Sequence, residues 1–216
     1  MNCCSNAQCK GIEQTFDDSV AIQDLKTYKK KGPSKTTRLL LTAIQTLGVK
    51  DASLLDIGGG IGAIQLEMLK AGVAQVTNVD ASPAYSQTAR KEAARLGWGD
   101  RVTYHVGNFV DIAPTLAPVD IVTLDRVICC YNDMPALVQA SVSRAQRVYG
   151  VVFPKDVWWV KLGIGIFNRI QELLRNPFHI FAHPTKEIEA FVREKGFERV
   201  YTHRGVFWQV IVFAKG

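Results

Sequence analysis

The sequence predicts a doubly wound α/β domain: a mostly parallel, seven-stranded sheet, helices on both faces, and an antiparallel strand pair closing one edge. Three observations carry that prediction. Short apolar runs alternate with amphipathic segments from residue 35 onward, the pattern of repeated strand–helix units. Four glycines in five positions, Gly58-Gly59-Gly60-Ile61-Gly62, divide the first apolar run from the helical pattern behind it. The last two apolar stretches follow each other with no helix between them, as in a hairpin.

Each element has its own signal. KTTRLLLTAIQTL (35–47) has the spacing of an amphipathic helix, and SLLDIG (53–58) is a short buried strand. AIQLEMLKAG reads as a helix ending at Gly72, and AQVTNVD as the second strand. In SPAYSQTARKEAARLG, Ser82 is the N-cap, Pro83 the first helical residue and Gly97 the stop. RVTYHVGNF is the third strand, and VDIVTLD the fourth, apolar enough to be buried on both faces. MPALVQASVSRAQR (134–147) reads as a helix and RVYGVVF (147–153) as the fifth strand. A long insertion precedes the helix TKEIEAFVREKGF and the closing strands RVYTHRG and VFWQVIVFA. Residues 1–34 are read as an N-terminal cap segment, and 35–216 as the α/β domain with a lid-like insertion at 154–185.

Composition narrows the function. The 216 residues fit one domain with a substantial core; 47% are hydrophobic and 21% charged, the balance of a soluble globular chain. Net charge is +6 and the pI about 9.1, which favours anionic partners without choosing among them. The basic residues are scattered, with KTYKKKG (26–32) the one dense run; a solvated lysine face accounts for it, and nucleic acid is disfavoured. The first residues lack an apolar targeting core and no apolar run is long enough to span a bilayer. The expectation is a cytoplasmic protein with reduced thiols.

The glycine turn lies where open α/β sheets bind ligands, beyond the carboxyl end of the first strand. Asp56 stands two residues before Gly58, and Asp80 ends the second strand, where a carboxylate can accept from a ribose diol. A nicotinamide-binding loop would place a third glycine at Ala63. An acid beside the loop repels a pyrophosphate but suits a ligand bearing an ammonium and a sulfonium, which points to S-adenosylmethionine (SAM).

On these residues the sequence resembles the class I SAM-dependent methyltransferases. Their acid-and-glycine pattern is matched by Asp56, Gly58, Gly60 and Gly62, their ribose-binding acid by Asp80 with Ala81 beside it, and their adenine-reading pair by Asn108-Phe109. The segment Leu124-Asp125-Arg126 matches the one lining the methionine side. The resemblance implies SAM as cofactor and a cofactor-binding set that includes Asp125. No N-P-P-Y or D-P-P-Y motif follows the fourth strand, so a nucleic-acid amine is not the implied acceptor.

The second half is similar to the magnesium protoporphyrin O-methyltransferases in Pro154-Lys155, Asn168-Arg169-Ile170-Gln171-Glu172-Leu173, Ala182-His183 and the aromatic closing strand. It departs where that family carries a His-Tyr pair; this chain has Cys129-Cys130-Tyr131. The function expected is methyl transfer to a small apolar or aromatic molecule. The alternatives are a porphyrin-type carboxyl O-methyltransferase and a thiolate protein of the same fold that binds a metal or metalloid. Tyr28 and Tyr131 are candidates to orient the acceptor, and His183 is a candidate base. Cys3, Cys4, Cys9 and Cys130 are candidate ligands for a soft ion. The insertion, with Trp158 and Trp159, is expected to cap the substrate pocket, and its 157–174 segment to touch a membrane surface.

Overall fold

The computed structural model describes residues 7–216, the side chains of residues 7–10 excepted. The chain opens with α1 (Ala7–Thr15), α2 (Asp18–Lys31) and α3 (Lys35–Gln45). Asp17 caps α2 by accepting from the Ser19 and Val20 amides, and Ser34 caps α3 through the Thr37 amide, each satisfying a helix donor that lacks an intrahelical partner. Then follow β1 (Ser53–Ile57), α4 (Ala63–Lys70), β2 (Gln75–Asp80), α5 (Pro83–Arg95), β3 (Val102–Val106), α6 (Phe109–Ile112) and β4 (Val119–Asp125). The second half holds α7 (Met134–Val142), β5 (Ala145–Pro154), α8 (Trp158–Leu173), α9 (Thr185–Glu194), β6 (Phe197–Arg204) and β7 (Trp208–Lys215).

The strands form one seven-stranded sheet in the order β3-β2-β1-β4-β5-β7-β6. The first five run parallel, and β7 pairs antiparallel with both β5 and β6. The order reverses between β1 and β4, which opens a crevice at their carboxyl ends. Side-chain alternation divides the core in two. Leu54, Ile121, Val148 and Val212 face α3 and α4. Leu55, Val122, Tyr149 and Phe213 face α7 and α9.

Two boundaries differ from the sequence reading. The helix expected over 134–147 stops at Val142, and β5 begins at Ala145. Ala145 is buried in the core and pairs with Val119 across the sheet, so strand pairing claims residues that helical spacing had claimed. The N-terminal cap contains two helices, and a third small cluster of Ala21, Ile61 and Tyr85 fastens α2 over the glycine turn.

Candidate active site

One cavity of about 570 Å³ sits at the carboxyl ends of the parallel strands, under α1 and α2. Its size is that of a ligand pocket. From the glycine turn it is lined by Asp56, Gly58 and Gly60; from the end of β2 by Asp80 and Ala81; from the start of α6 by Asn108 and Phe109. Asp125 lines it from the end of β4, and Tyr131 from the turn that follows. Tyr28 of α2 lines it from the N-terminal side. The topology thus brings together residues from the ends of four parallel strands and from α2.

Gly62 is not among the lining residues. It caps α4 with φ +82°, and a Cβ there would lie 2.6 Å from the Gln65 side chain. Its contribution is the left-handed turn that aims the loop, a conformation glycine adopts at no steric cost.

The carboxylates are held by different means. Asp80 accepts from the Gly60 and Ser82 amides, each at 2.8 Å, which ties the glycine turn to β2. Burial raises its pKa, and the two amides oppose the rise. Asp56 accepts from Thr123 Oγ1 at 2.7 Å through Oδ1, while Oδ2 is buried with no donor. Burial, reinforced by the charges of Asp125 and Asp80, pushes the Asp56 pKa up to about 7. Asp125 accepts from Thr37 through Oδ2, and its buried Oδ1 has no hydrogen-bond donor; burial raises its pKa against Arg126 and Thr37. Three acids around one cavity, two of them with a buried oxygen that has no hydrogen-bond donor, make a wall that a cation would relieve.

Arg126 is a lining residue that sequence reasoning passed over except as the neighbour of Asp125. It adopts φ +64°, a strained conformation for a residue with a Cβ. Its guanidinium donates to Ser34 and Thr36 and lies 5.3 Å from the centre of the Trp208 ring. Asp24, Thr37, Trp208, Phe178 and Ile180 also line the cavity. Nothing local in the sequence marks them, because each reaches the cavity through tertiary packing.

The expected acceptor-side residues fare unequally. The Tyr28 hydroxyl donates to Glu67 Oε1 at 2.6 Å, and burial raises its pKa. The Tyr131 hydroxyl donates to Asn108 Oδ1 at 2.9 Å, and Asn108 Nδ2 donates to Asp111. His183 does not line the cavity. Its Nε2 lies 2.8 Å from the Tyr131 carbonyl, and burial lowers its pKa. That contact braces the turn after β4.

The insertion meets the cavity through residues other than its tryptophans. Trp158 and Trp159 do not line the cavity and are 76% and 39% exposed; Phe178 and Ile180, beyond α8, reach it instead. The candidate ligands Cys3, Cys4 and the Cys9 side chain lie outside the described residues, and Cys130 lines the cavity.

Comparison with known proteins agrees with this geometry. A family model described as a methyltransferase domain matches residues 54–149. The ribosomal protein L11 methyltransferase of Escherichia coli O8 (strain IAI1) is 32% identical over 75 residues. That match covers 35% of this chain and 26% of the relative, about a quarter of its length. Magnesium protoporphyrin IX methyltransferase from Synechocystis PCC 6803, solved with bound SAH, superposes with a TM-score of 0.72 at 16% identity. The superposition covers 97% of this chain and all of that one. A sarcosine dimethylglycine methyltransferase structure from Galdieria sulphuraria gives a TM-score of 0.66 at 15% identity, over 84% of this chain and 86% of its own. At such identities the likeness is one of fold. The methyltransferase-domain match lies over residues 54–149, which carry the glycine turn, and the solved methyltransferases share the fold of nearly the whole chain.

Proposed function

We propose that this protein transfers a methyl group from SAM to a small, apolar or aromatic acceptor. The observation that carries the reading is the cavity wall: Asp56 Oδ2 and Asp125 Oδ1, buried acceptors without hydrogen-bond donors, in an otherwise largely apolar surround. SAM, when bound, supplies an electrophilic methyl on a sulfonium that leaves readily. Asp80 would hold the ribose diol with the lone pairs that Gly60 and Ser82 leave unused. Asn108 would meet the adenine edge through the carbonyl it shares with Tyr131, with Phe109 against the ring. Asp56 and Asp125 would face the cationic methionine portion. The protein's part is then to orient an acceptor and exclude water; α1, α2 and Phe178 supply the cover.

Among the described residues no histidine or lysine lines the cavity, so the acceptor end favours nucleophiles that need no proton removed, such as a carboxylate. That favours the porphyrin-type carboxyl reading as the second choice, supported by the superposition over nearly the whole chain. We further propose peripheral membrane contact through residues 157–174, which present Trp158, Leu162, Ile166, Ile170 and Leu173 to solvent beside Lys161, Arg169 and Arg175.

Asp80→Asn tests the site. Losing the charged acceptor should weaken SAM binding about tenfold or more, read by calorimetric titration. Unchanged affinity would remove Asp80 from the cofactor site.

A further inference from the structure

Cys129 and Cys130 are a feature of the cavity that SAM binding leaves unused. Both line it, with their sulfurs 3.7 Å apart. Successive side chains of a strand point to opposite faces, but a single tight helical turn over Ile128–Cys130 brings these two thiols together. His183 pins the same turn through the Tyr131 carbonyl. The turn follows β4, across β1 from Asp80 at the end of β2, which is the acceptor side of the proposed function.

We propose that Cys129 and Cys130 form a dithiol site for a trivalent metalloid of the arsenite class. The assignment deepens the function above and rests on it for the acceptor role of this end of the cavity; the binding itself stands on the thiol geometry. A single soft centre bonded to both sulfurs holds them at about van der Waals contact, and the pair already stands 3.7 Å apart, so bridging needs only a small movement of the turn. In each condensation one S–H and one As–OH bond break, one As–S bond forms, and a water leaves. Two condensations give a neutral dithioarsenite that keeps one hydroxyl. Nothing is oxidised or reduced, and no charge is buried.

Zinc fits less well. It would need thiolates and more ligands, and no group of three or more metal-binding side chains occurs among the described residues. The Cys130 thiol and burial hold Cys129 well above the usual thiol range, which condensation tolerates and a thiolate site does not. The remaining three cysteines all fall within the first nine residues.

The test uses the full chain with arsenite and a monothiol reductant, followed by gel filtration and elemental analysis. The wild type should retain about one arsenic per chain, and Cys130→Ala or Cys129→Ser should weaken retention about a hundredfold by removing the second, intramolecular bond. Cys130 is the more exposed of the two, so its variant carries the result if Cys129→Ser fails to fold. Retention lost in a Cys3→Ser, Cys4→Ser, Cys9→Ser variant but unchanged in Cys130→Ala would overturn the proposal. So would zinc retention with no arsenic. SAM titration separates the two readings: SAM bound without arsenic sinks the dithiol site alone, and arsenic bound without SAM sinks the transferase reading alone.

Discussion

Asp56 is a residue held at a cost. Its folded pKa of about 7 stands above the ordinary carboxylate value of 3.8. A group raised in this way adds full stability below the unfolded pKa and loses it as pH rises through the folded value. The ligand-free protein should therefore lose stability between about pH 4 and about pH 7 through this group. Asp56→Asn removes the buried charge while keeping the shape. It should raise the melting temperature of the ligand-free protein at about pH 8 and change it little at about pH 4. The same variant should weaken SAM binding, since the orphan oxygen is lost as a counter-charge. Melting curves that shift equally at both pH values would show that Asp56 is not the titrating group.

Among the helices, α8 has apolar residues on two faces. Val160 and Ile164 are buried against the domain, whereas Trp158, Leu162, Ile166, Ile170 and Leu173 are exposed. The exposed residues recur every three or four positions, so they share one face. Burying that stripe and placing the nearby Lys161, Arg169 and Arg175 against anionic headgroups would both favour a membrane interface. Trp158→Ala with Leu162→Ala should leave the melting temperature nearly unchanged, because little packing is lost, while reducing co-sedimentation with anionic vesicles. Ile164→Ala should do the reverse, costing about 2–5 kcal/mol as a buried truncation. Equal vesicle binding by the double variant would remove this face from the interface. The other end of the insertion packs inward: a Cβ on Gly11 of α1 would lie 2.6 Å from the Phe178 backbone nitrogen. Phe16 also meets Phe178 edge-on, with ring centres 5.5 Å apart. These contacts join the N-terminal helices to the segment beyond α8.

The whole molecule is a sheet with two cores and a separate cover. The cores lie on the two faces of the sheet. The cover rests on the cluster around Ala21, on the Tyr85–Asp24 hydrogen bond and on Lys29 paired with Glu92 at 2.7 Å. Deleting residues 1–33 should therefore leave the far-ultraviolet signature of the sheet domain in place. It should weaken SAM binding about tenfold or more by opening the cavity to water. A truncated protein that binds SAM as well as the full chain would show that α1 and α2 are not part of the site.

Local chemistry determined the frame. Alternation of apolar runs and helical spacing carried the seven strands, Ser82 and Pro83 located α5, and the glycine turn with Asp56 and Asp80 marked the crevice, because each depends on neighbours within a few residues. The boundary at Val142 was not legible, since pairing between Ala145 and Val119 overrides helical spacing. Asp24, Thr37, Phe178 and Trp208 gave no local sign: they meet across long stretches of chain, and only packing brings them to one cavity. The contact of the His183 ring with the Tyr131 carbonyl is of the same kind: it joins residues 52 positions apart, and only the tertiary structure decides it.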